Sequence, residues 1–426
     1  MLNCNWEETM FTRRRMLTTA LAATVALGAL GTSPAILMAQ DAEKTVKVGL
    51  IAPMSGPWAR QGDLMLKGAR LAIKDVNDAG GIKSLGGAKL ELVEVDTGDT
   101  AEKAKNAAQR MVSQYPDLVA VTGAWLSSFT LSVSEVTERA ELPMLTLSYS
   151  DQITSRGFKY IFQLPPTGVI QAQTAMPALM KVAETAGAKP MTTGIISDNT
   201  ASSTSFAKPI REGALKELGI ELKFDQTFTP PLADATALVQ QARSHRPNFL
   251  IMLGTAVPDD KLLLEKVNEF NLGGGRMPII SSGAHMGAPE LLKNVGAELL
   301  EGVMTVVGNW GAKGQEEIIQ RFKEETGEPW MTQDSISAYG DIQLMAYALE
   351  QAKEADKRKV AEALRSVDLE GSDGPAAFYP GSGIKFDEAG HNTRANLIIV
   401  QWQAGEPVPI YPPESALAEP IWPSGG

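Results

Sequence analysis

The sequence predicts an α/β protein built from two doubly wound, Rossmann-like halves, each a parallel sheet with helices on both faces. Three observations lead to this prediction. Short apolar strands alternate with amphipathic helices from residue 45 onward, and the alternation restarts after residue 168. The segments 116–123 and 247–254 also share one order of proline, apolar strand and glycine. This similarity favours a duplicated architecture, although any doubly wound protein can repeat such a pattern.

The elements of the first half follow from their apolar spacing and from the residues that end them. Strand 46–52 ends at Pro53, and helix 63–77 carries its apolar residues on one face and stops before two glycines. The further elements predicted here are strand 89–95, helix 101–115, strand 118–122, helix 128–140 and strand 144–147. Residues 163–168 contain two adjacent prolines, which do not continue a strand, so we expect a domain crossing there.

The second half repeats this alternation and then becomes mixed. Its predicted elements are helix 168–186, strand 193–196, helix 206–218, strand 222–228, helix 235–243, strand 249–253, helix 259–270 and strand 279–280. After Gly302 we expect a strand at 303–307, helices at 315–325, 335–353 and 359–367, and an irregular, proline-rich tail from Ala404.

The composition disfavours several classes of protein and of site. Of 426 residues, 39 are Lys or Arg and 50 are Asp or Glu, which gives a formal net charge of −11. An acidic chain without a basic block is a poor nucleic-acid binder, because phosphate binding depends on Lys and Arg. The single cysteine, Cys4, excludes an intrachain disulfide, and three scattered histidines form no local zinc motif. We therefore expect no metal, no cofactor and no nucleic-acid partner.

The first 39 residues have the composition of an export signal. Arg13, Arg14 and Arg15 precede an uncharged stretch rich in Ala, Leu, Thr and Gly, and the run around them resembles a twin-arginine signal. The alternative is an uncleaved membrane anchor, but Gly28 and Pro34 interrupt the segment. We predict cleavage after the export signal, 1–39, and a periplasmic location for the mature protein.

The sequence contains no specific catalytic motif. It has no nucleophile elbow, no zinc-protease helix signature and no phosphate-binding lysine loop. The glycines at 273–275 follow a helix and precede a strand, which reverses the order found in dinucleotide-binding loops. These observations disfavour an enzyme.

The loops that follow the predicted strands indicate a binding site instead. In open α/β sheets, ligands bind beyond the carboxyl ends of the strands. Trp58 follows the first strand, Trp125, Ser127 and Ser128 follow the third, and Ser148 follows the fourth. The serine pair either caps a helix or binds an anion together with backbone amides. Two tryptophans at one sheet edge favour an aromatic pocket wall.

A series of short motifs runs through the chain in a fixed order. Residues 48–57 read Val-Gly-Leu-Ile-Ala-Pro-Met-Ser-Gly-Pro. The later motifs are Gly62, Gly68-Ala, Ala72, Asn77-x-x-Gly-Gly-Ile, Asp96-Thr-Gly-Asp, Gly123 with Ser127-Ser128, Leu142-Pro with Ser148, Asp234 with Leu238, Tyr339 and Lys385-Phe-Asp-x-x-Gly. In order and spacing, over roughly residues 45–415, they resemble the periplasmic solute-binding proteins of ABC transporters of the branched-chain amino acid (Leu/Ile/Val-binding) type.

The resemblance implies a type I periplasmic binding fold, in which two α/β lobes joined by a three-strand hinge close on a small solute. It assigns 44–163 and 286–380 to lobe 1, 164–285 and 381–415 to lobe 2, and 416–426 to an irregular tail. It further implies a monomer that docks on an ABC-transporter membrane permease and uses no cofactor.

The resemblance also implies ligand-binding residues at the facing edges of both lobes. In the amino-acid binders of this type, serines hold the ligand carboxylate and an acidic residue pairs with its ammonium group. The serines are retained here, whereas the position of the acidic residue falls near Ala284. By position, the site residues are Trp58, Gln61, Trp125, Ser127, Ser128, Ser148 and Tyr149 in lobe 1, and Ser202, Ala256, Ala284 and His285 in lobe 2.

The change near Ala284 alters the expected ligand. A buried ammonium group without a carboxylate partner is costly, so a zwitterionic amino acid requires Asp198 or Asp259 to take over. We therefore expect a small organic acid or amide, aromatic ones included, held by serine hydroxyls, helix-start amides and tryptophan faces. The alternatives are a branched-chain or other amino acid and, less favoured, a ligand-sensing module or an exported α/β hydrolase.

Overall fold

The computed structural model of the protein describes residues 44–272 and 277–423. The export signal predicted at 1–39, Cys4 and the glycines at 273–275 lie outside these ranges. The strands are β1 Thr45–Ala52, β2 Lys89–Asp96, β3 Ala120–Gly123, β4 Met144–Thr146, β5 Ile161–Gln163, β6 Thr192–Asp198, β7 Glu221–Phe228, β8 Phe249–Leu253, β9 Ile279–Ser282, β10 Met304–Val307, β11 Asp368–Glu370, β12 Gly383–Lys385, β13 Ile398–Gln403 and β14 Glu406–Tyr411.

The helices fill the connections between these strands. They are α1 Ala59–Asp78, α2 Ala101–Gln114, α3 Ser127–Arg139, α4 Gly168–Thr185, α5 Ala201–Pro209, α6 Leu215–Glu217, α7 Thr236–His245, α8 Val257–Glu269, α9 Pro289–Val295, α10 Ala297–Leu300, α11 Glu316–Thr326, α12 Gln333–Ala352 and α13 Lys357–Arg365. Within the described ranges, none of them combines the length and the hydropathy that a membrane-spanning helix needs.

Two large sheets organise the chain, as the alternating pattern predicted. The first sheet has the order β2-β1-β3-β4-β5, and all its neighbouring strands are parallel. The second has the order β14-β13-β10-β9-β8-β6-β7, in which the pairs β10–β13 and β13–β14 are antiparallel and the other neighbouring pairs are parallel. The prediction of two doubly wound α/β halves is therefore confirmed.

The strand order creates a switch point in each sheet. β1 lies between β2 and β3, and β6 lies between β7 and β8, so successive connections leave these central strands on opposite sides. A crevice opens at such a point beyond the carboxyl ends of the strands. The loops after β3 and β4 and those after β6, β8 and β9 therefore lie where a ligand between the sheets can reach them.

Close helix packing positions the first of these edges. α1 packs along α12 over the core of the first sheet. Gly68 permits this approach, because a Cβ atom there would lie 2.0 Å from the backbone oxygen of Ser335. The second sheet has apolar clusters on both faces, which is the arrangement expected for a parallel sheet covered by helices.

Three segments cross between the two sheets. They are 164–167 between β5 and α4, 308–315 between β10 and α11, and 387–397 between β12 and β13. Gln163 anchors the first crossing, because its side-chain amide donates to the backbone oxygens of Ser148 (2.8 Å) and Ser150 (3.2 Å). The first crossing coincides with the proline pair from which a domain crossing was predicted.

Sheet membership corrects two of the predicted lobe limits. β10 pairs with β9 and β13 in the second sheet. The first part of the segment 286–380 therefore belongs to the second sheet and not to lobe 1. Ile384 and Phe386 pack in the core of the first sheet, so lobe 2 does not resume at 381. The reason is that a short, fully buried strand carries no signal in its own sequence for the sheet that it joins. The other limits stay a prediction.

The C-terminal part is more regular than predicted. β14 pairs with β13 in place of the irregular tail expected from Ala404. Prolines at 407 and 409 are compatible with this strand because it lies at the edge of its sheet, where one row of backbone groups needs no partner strand.

Candidate ligand-binding site

A cavity lies between the loops at the carboxyl ends of the two sheets. It contains about 410 Å³ of empty space, part of it open to solvent. Its lining consists of Trp125, Leu126, Ser127, Leu147, Ser148, Tyr149, Ser202, Ser203, Thr255, Ser282, Gly283, Ala284, His285 and Gln333.

The loop between β3 and α3 forms the centre of the first wall. Ala124 and Trp125 have positive φ values of 61° and 52°, an uncommon conformation for residues with a Cβ atom. Such strained backbone concentrates at functional sites. The Trp125 indole donates to Asp334 Oδ1 at 2.8 Å, which fixes the ring. Burial raises the pKa of Asp334 to about 7.

The hydroxyl oxygen of Ser127 already accepts two hydrogen bonds within the protein. Its Oγ accepts hydrogen bonds from the backbone N–H groups of Tyr149 and Ser150, both at 3.1 Å. The hydroxyl hydrogen therefore remains available for donation. The cap position of α3 is Leu126, and no side chain caps the helix, so Ser127 and Ser128 are not its N-caps. The amides of the first turn lack side-chain acceptors and can bind an anion.

Ser148 and Tyr149 line the cavity but their hydroxyls are engaged within the protein. Ser148 Oγ donates to the backbone oxygen of Trp125 at 2.7 Å and lies 2.6 Å from Thr130 Oγ1. Tyr149 OH donates to Gln333 Oε1 and accepts from the Gly308 amide at 3.1 Å. Burial raises the pKa of Tyr149, which keeps the phenol neutral. These bonds tie the first wall to the second crossing between the sheets.

The second wall begins at the N-terminus of α5. Ser202 and Ser203 lie in its first turn, and no side chain caps this helix either. Thr255, after β8, donates its hydroxyl to Asp198 Oδ2 at 2.6 Å. Asp198 also accepts from the amide and the hydroxyl of Thr200, at 2.9 and 2.7 Å. Burial raises the pKa of Asp198, while these hydrogen bonds act in the opposite direction.

His285 completes the second wall. It lies in a short 3₁₀ helix after β9 and is 1 % exposed. Its Nε2 atom lies 3.4 Å from Oδ2 of Asp260, a carboxyl at the start of α8 that is 0 % exposed. Burial lowers the pKa of His285 to about 3, so the imidazole is neutral near pH 7, and burial also raises the pKa of Asp260.

The structure brings together seven of the eleven predicted site residues. They are Trp125, Ser127, Ser148, Tyr149, Ser202, Ala284 and His285. Their contact with a ligand stays a prediction.

Four predicted residues do not line the cavity. Trp58 packs edge-on against Phe129 with ring centroids 5.5 Å apart, and its indole donates to the backbone oxygen of Thr255 at 3.1 Å. Gln61 is fully buried on α1. Ala256 is buried at the cap of α8, and Ser128 lies on α3 outside the lining. These residues were predicted from their positions in the sequence. Sequence position does not determine the direction in which each side chain points.

Several lining residues were missed by sequence reasoning. Ser203 and Thr255 follow β6 and β8, so the rule about strand ends applied to the second sheet could have found them. Gln333 lies at the start of α12, after a crossing, and no local signal marks it. Ser282 and Gly283 end β9, next to the two predicted residues at 284 and 285.

The cavity lining carries no formal charge. Among the described lining residues there is no Lys, Arg, Asp or Glu, and the only ionisable ones are Tyr149 and His285. Neither of the two acids expected to replace an ammonium partner lines the cavity. Asp198 is engaged by Thr200 and Thr255, and Asp259 accepts from the Leu232 amide at 2.9 Å.

Contacts across the cavity show that the loops of the two sheets meet. Besides the Trp58 indole bond, Ser205 Oγ of α5 donates to Asp151 Oδ1 at 3.1 Å. Arg60 of α1 pairs with Glu290 of α9, Nε to Oε2, at 2.7 Å. These contacts join the loops of the two sheets across the cavity.

Comparison with known proteins agrees with this architecture. The sequence profile of the periplasmic binding protein family matches residues 45–407. A Leu/Ile/Val-binding protein homolog 7 from Brucella melitensis is 29% identical over 404 residues, which cover 92% of this chain and 97% of that relative.

Solved structures have the same fold. The branched-chain amino acid transporter substrate-binding protein LivJ from Streptococcus pneumoniae, in complex with isoleucine, superposes with a TM-score of 0.72 at 20% identity, covering 86% of this chain and 100% of LivJ. An ABC-transporter solute-binding protein from R. palustris, in complex with benzoate, gives 0.72 at 16% identity, covering 90% and 99% of the two chains. With its profile match and its two-sheet architecture, the chain belongs to the periplasmic binding protein family.

Proposed function

We propose that the protein is the extracytoplasmic solute-binding component of an ABC importer. It traps a small organic acid or amide, aromatic ones included, between its two lobes and delivers it to the membrane permease. The observation that carries this proposal is the cavity lining, in which neutral hydrogen-bond donors and two helix N-termini meet without a carboxylate among the described residues.

The electrostatics of this lining favour a carboxylate. α3 and α5 both begin at the cavity, and the N-terminus of a helix carries partial positive charge and free N–H groups. Ser127 adds a hydroxyl hydrogen whose oxygen is already engaged by two amides. A carboxylate held this way needs no cationic side chain, since backbone dipoles and hydroxyls supply the stabilisation.

An aromatic or aliphatic body fits the remainder of the site. Trp125 is held by Asp334, and Leu126 and Leu147 lie on the same wall. Fixed aromatic and aliphatic surface binds an apolar ring with little loss of side-chain entropy. The protein from R. palustris that was solved with benzoate supports this ligand class, because it shares the fold.

A branched-chain amino acid is the second candidate, and the names of the Brucella relatives favour it. Its ammonium group would have to face hydroxyls, amides and the imidazole of His285, because Asp198 and Asp259 lie outside the lining. Burying a charge without an opposite partner is unfavourable by several kcal/mol. The carboxylate ligand therefore remains the first candidate.

We place the working protein outside the cytoplasm and take it to act as a monomer. The basic-apolar pattern at 1–39 and the membership of the periplasmic binding protein family support export. N-terminal mass spectrometry of the protein from a periplasmic fraction tests this location. A mature chain beginning near residue 40 is expected, and an intact N-terminus in the cytoplasmic fraction would contradict export.

Isothermal titration calorimetry with a matched ligand panel tests the function. Benzoate, benzamide, a short aliphatic carboxylate and leucine are titrated into the mature protein after denaturation and refolding, which removes any co-purified solute. We expect carboxylates to bind, benzoate more tightly than benzamide, and leucine weakly. Tight leucine binding with no response to the acids would overturn the proposed ligand class and leave the amino acid as the ligand.

A further inference from the structure

The second wall contains a buried carboxyl directly behind His285. Asp260 Oδ2 lies 3.4 Å from His285 Nε2. Neither oxygen of Asp260, nor Nε2 of His285, forms a hydrogen bond with any described residue. Buried polar groups in native proteins nearly always find a partner, so the two residues are best understood as a pair.

The surroundings of the pair are acidic. The ionisable groups that act on Asp260 are Asp259, on the same helix, and Asp198, at the end of β6, and both raise the pKa of Asp260. No Lys or Arg residue contributes to the pKa of Asp260 or His285. Asp198 can carry a negative charge because three hydrogen-bond donors reach it, whereas Asp260 has none. These surroundings favour the protonated form of Asp260.

The shared proton determines which nitrogen of His285 carries a hydrogen towards the ligand. If Asp260 is a carboxylic acid, it donates to Nε2, and a neutral imidazole that accepts at Nε2 must carry its hydrogen on Nδ1. If the proton moves to the ring, both nitrogens carry hydrogen. In either case Nδ1 is a donor. Nδ1 is bare when the ring hydrogen lies on Nε2 and points to an oxygen of Asp260, which is the arrangement favoured once the pair loses its proton.

The Nδ1 edge of the ring lies against Gly283, which belongs to the cavity lining. A Cβ atom on Gly283, which lines the cavity, would lie 2.7 Å from Nδ1 and 2.6 Å from Cε1 of His285. Gly283 therefore leaves room for this edge of the ring, and its φ of 115° also suits glycine. The opposite edge, with Nε2, faces Asp260.

We propose that Asp260 is a positioning residue, which holds His285 with its hydrogen on Nδ1 so that the imidazole donates to the anionic group of the bound solute. This inference rests on the proposed function, because it assigns the second-lobe donor for a carboxylate ligand. The position that holds an ammonium partner in amino-acid binders thus becomes a neutral donor that rejects an ammonium group. The pair also rejects an anion once its proton is lost, since Nδ1 is then an acceptor with a carboxylate behind it.

Nitrogen NMR of the mature protein tests this assignment without a ligand. With ¹⁵N-labelled histidine, long-range proton–nitrogen correlations report which ring nitrogen carries hydrogen, and the His285→Gln variant identifies the signal. We expect hydrogen on Nδ1 of His285 in the wild type and in Asp260→Asn, because the asparagine amide still donates to Nε2. In Asp260→Leu, we expect this preference to disappear. Hydrogen on Nε2 with a bare Nδ1 in the wild type would overturn the proposal, whatever the variants show.

Benzoate titration of the same variants links the pair to binding. We expect Asp260→Leu to weaken benzoate binding about tenfold or more, because the hydrogen bond from His285 to the charged ligand is lost. Asp260→Asn should retain most of the wild-type affinity, because this hydrogen bond is kept. Glu265→Gln is the matched control, since it neutralises an exposed carboxyl on the same helix. Equal affinity and equal tautomer in wild type and Asp260→Leu would contradict the proposal. If benzoate fails to bind while Nδ1 carries hydrogen, the proposed ligand is wrong and the pair stands.

Discussion

The polar side chains compared in the cavity wall on the first sheet form hydrogen bonds within the protein. In the wall on the second sheet, several buried polar atoms have no such partner and are left to interact with a ligand or a proton. In the first wall, Ser127, Ser148 and Trp125 all have partners at normal distances. In the second, the oxygens of Asp260 and Nε2 of His285 have no hydrogen-bond partner among the described residues, and Oδ2 lies 3.4 Å from that nitrogen. The difference indicates a division of roles. The first wall holds the carboxylate in a prearranged site, and the second wall decides which charge on the solute is accepted.

Removal of the Ser127 hydroxyl tests the prearranged wall. We expect Ser127→Ala to raise the dissociation constant for benzoate about 30- to 100-fold, equivalent to about 2–3 kcal/mol, because the ligand loses a donor and two buried amides lose their acceptor. Calorimetry measures this change. Ser132→Ala on the same helix, outside the cavity, serves as the control. An affinity of Ser127→Ala within about threefold of the wild type would show that the first wall does not hold the anion.

Asp334, the buried carboxyl behind the first wall, can be compared with Asp260 through its effect on the free energy of unfolding. Burial raises the pKa of Asp334 to about 7, above its unfolded value, so the folded state binds the proton more strongly. Its contribution to stability is full below about pH 4 and is lost as the pH rises through about 7. Asparagine can still accept from Trp125 and does not titrate. We therefore expect Asp334→Asn to gain on the order of 1–3 kcal/mol relative to wild type between pH 5 and pH 8.

Urea unfolding at several pH values measures this gain. Asp373→Asn, an exposed substitution, should follow the wild-type profile. A constant difference between Asp334→Asn and wild type from pH 5 to pH 8 would mean that Asp334 is already charged in the folded protein.

Proton dependence of binding should be confined to the second wall. The anion binds the form of the Asp260–His285 pair that holds a proton, so benzoate affinity should fall by up to about tenfold per pH unit once the pH exceeds the apparent pKa of the pair. Calorimetry from pH 6 to pH 10 measures the slope. Asp260→Asn should reduce it, because the amide does not titrate. A slope that is identical in both proteins would assign the proton to another group.

The ion pair across the cavity should have a small effect. Arg60 and Glu290 are partly exposed, and such pairs contribute about 0.2–1 kcal/mol. We expect Glu290→Gln to weaken benzoate binding less than about fivefold and to make the loss depend on salt. Glu298→Gln, exposed and nearby in sequence, is the control. A loss above about twentyfold would mean that closure of the lobes rests on this contact rather than on the two walls.

The two walls also differ in how far the sequence predicts them. The loop around Trp125 and Ser127 was found because it follows a strongly apolar strand, and local periodicity together with the strand-end rule suffices there. The Asp260–His285 pair joins residues 25 positions apart on different elements, and nothing local in either segment marks it. Trp58 was placed at the correct edge, but its indole turns to the backbone of Thr255, which only the packing of the folded chain determines.

The fold shows the same limit. Helix α12 and strand β8 follow from apolar spacing, and β8 was predicted with its observed bounds, Phe249–Leu253. The sheet to which β10 belongs could not be predicted, because all four of its residues are buried and such a strand fits either sheet. β14 was missed because prolines at 407 and 409 argue against a strand, unless the strand lies at an edge.

A crystal structure of the mature protein grown with benzoate tests most directly whether an organic anion is held between the two walls. We predict density for the ligand inside the cavity, with one carboxylate oxygen within hydrogen-bond distance of Ser127 Oγ and the other near Nδ1 of His285. An empty cavity at saturating benzoate, or an amino acid there with its ammonium group against His285, would contradict it.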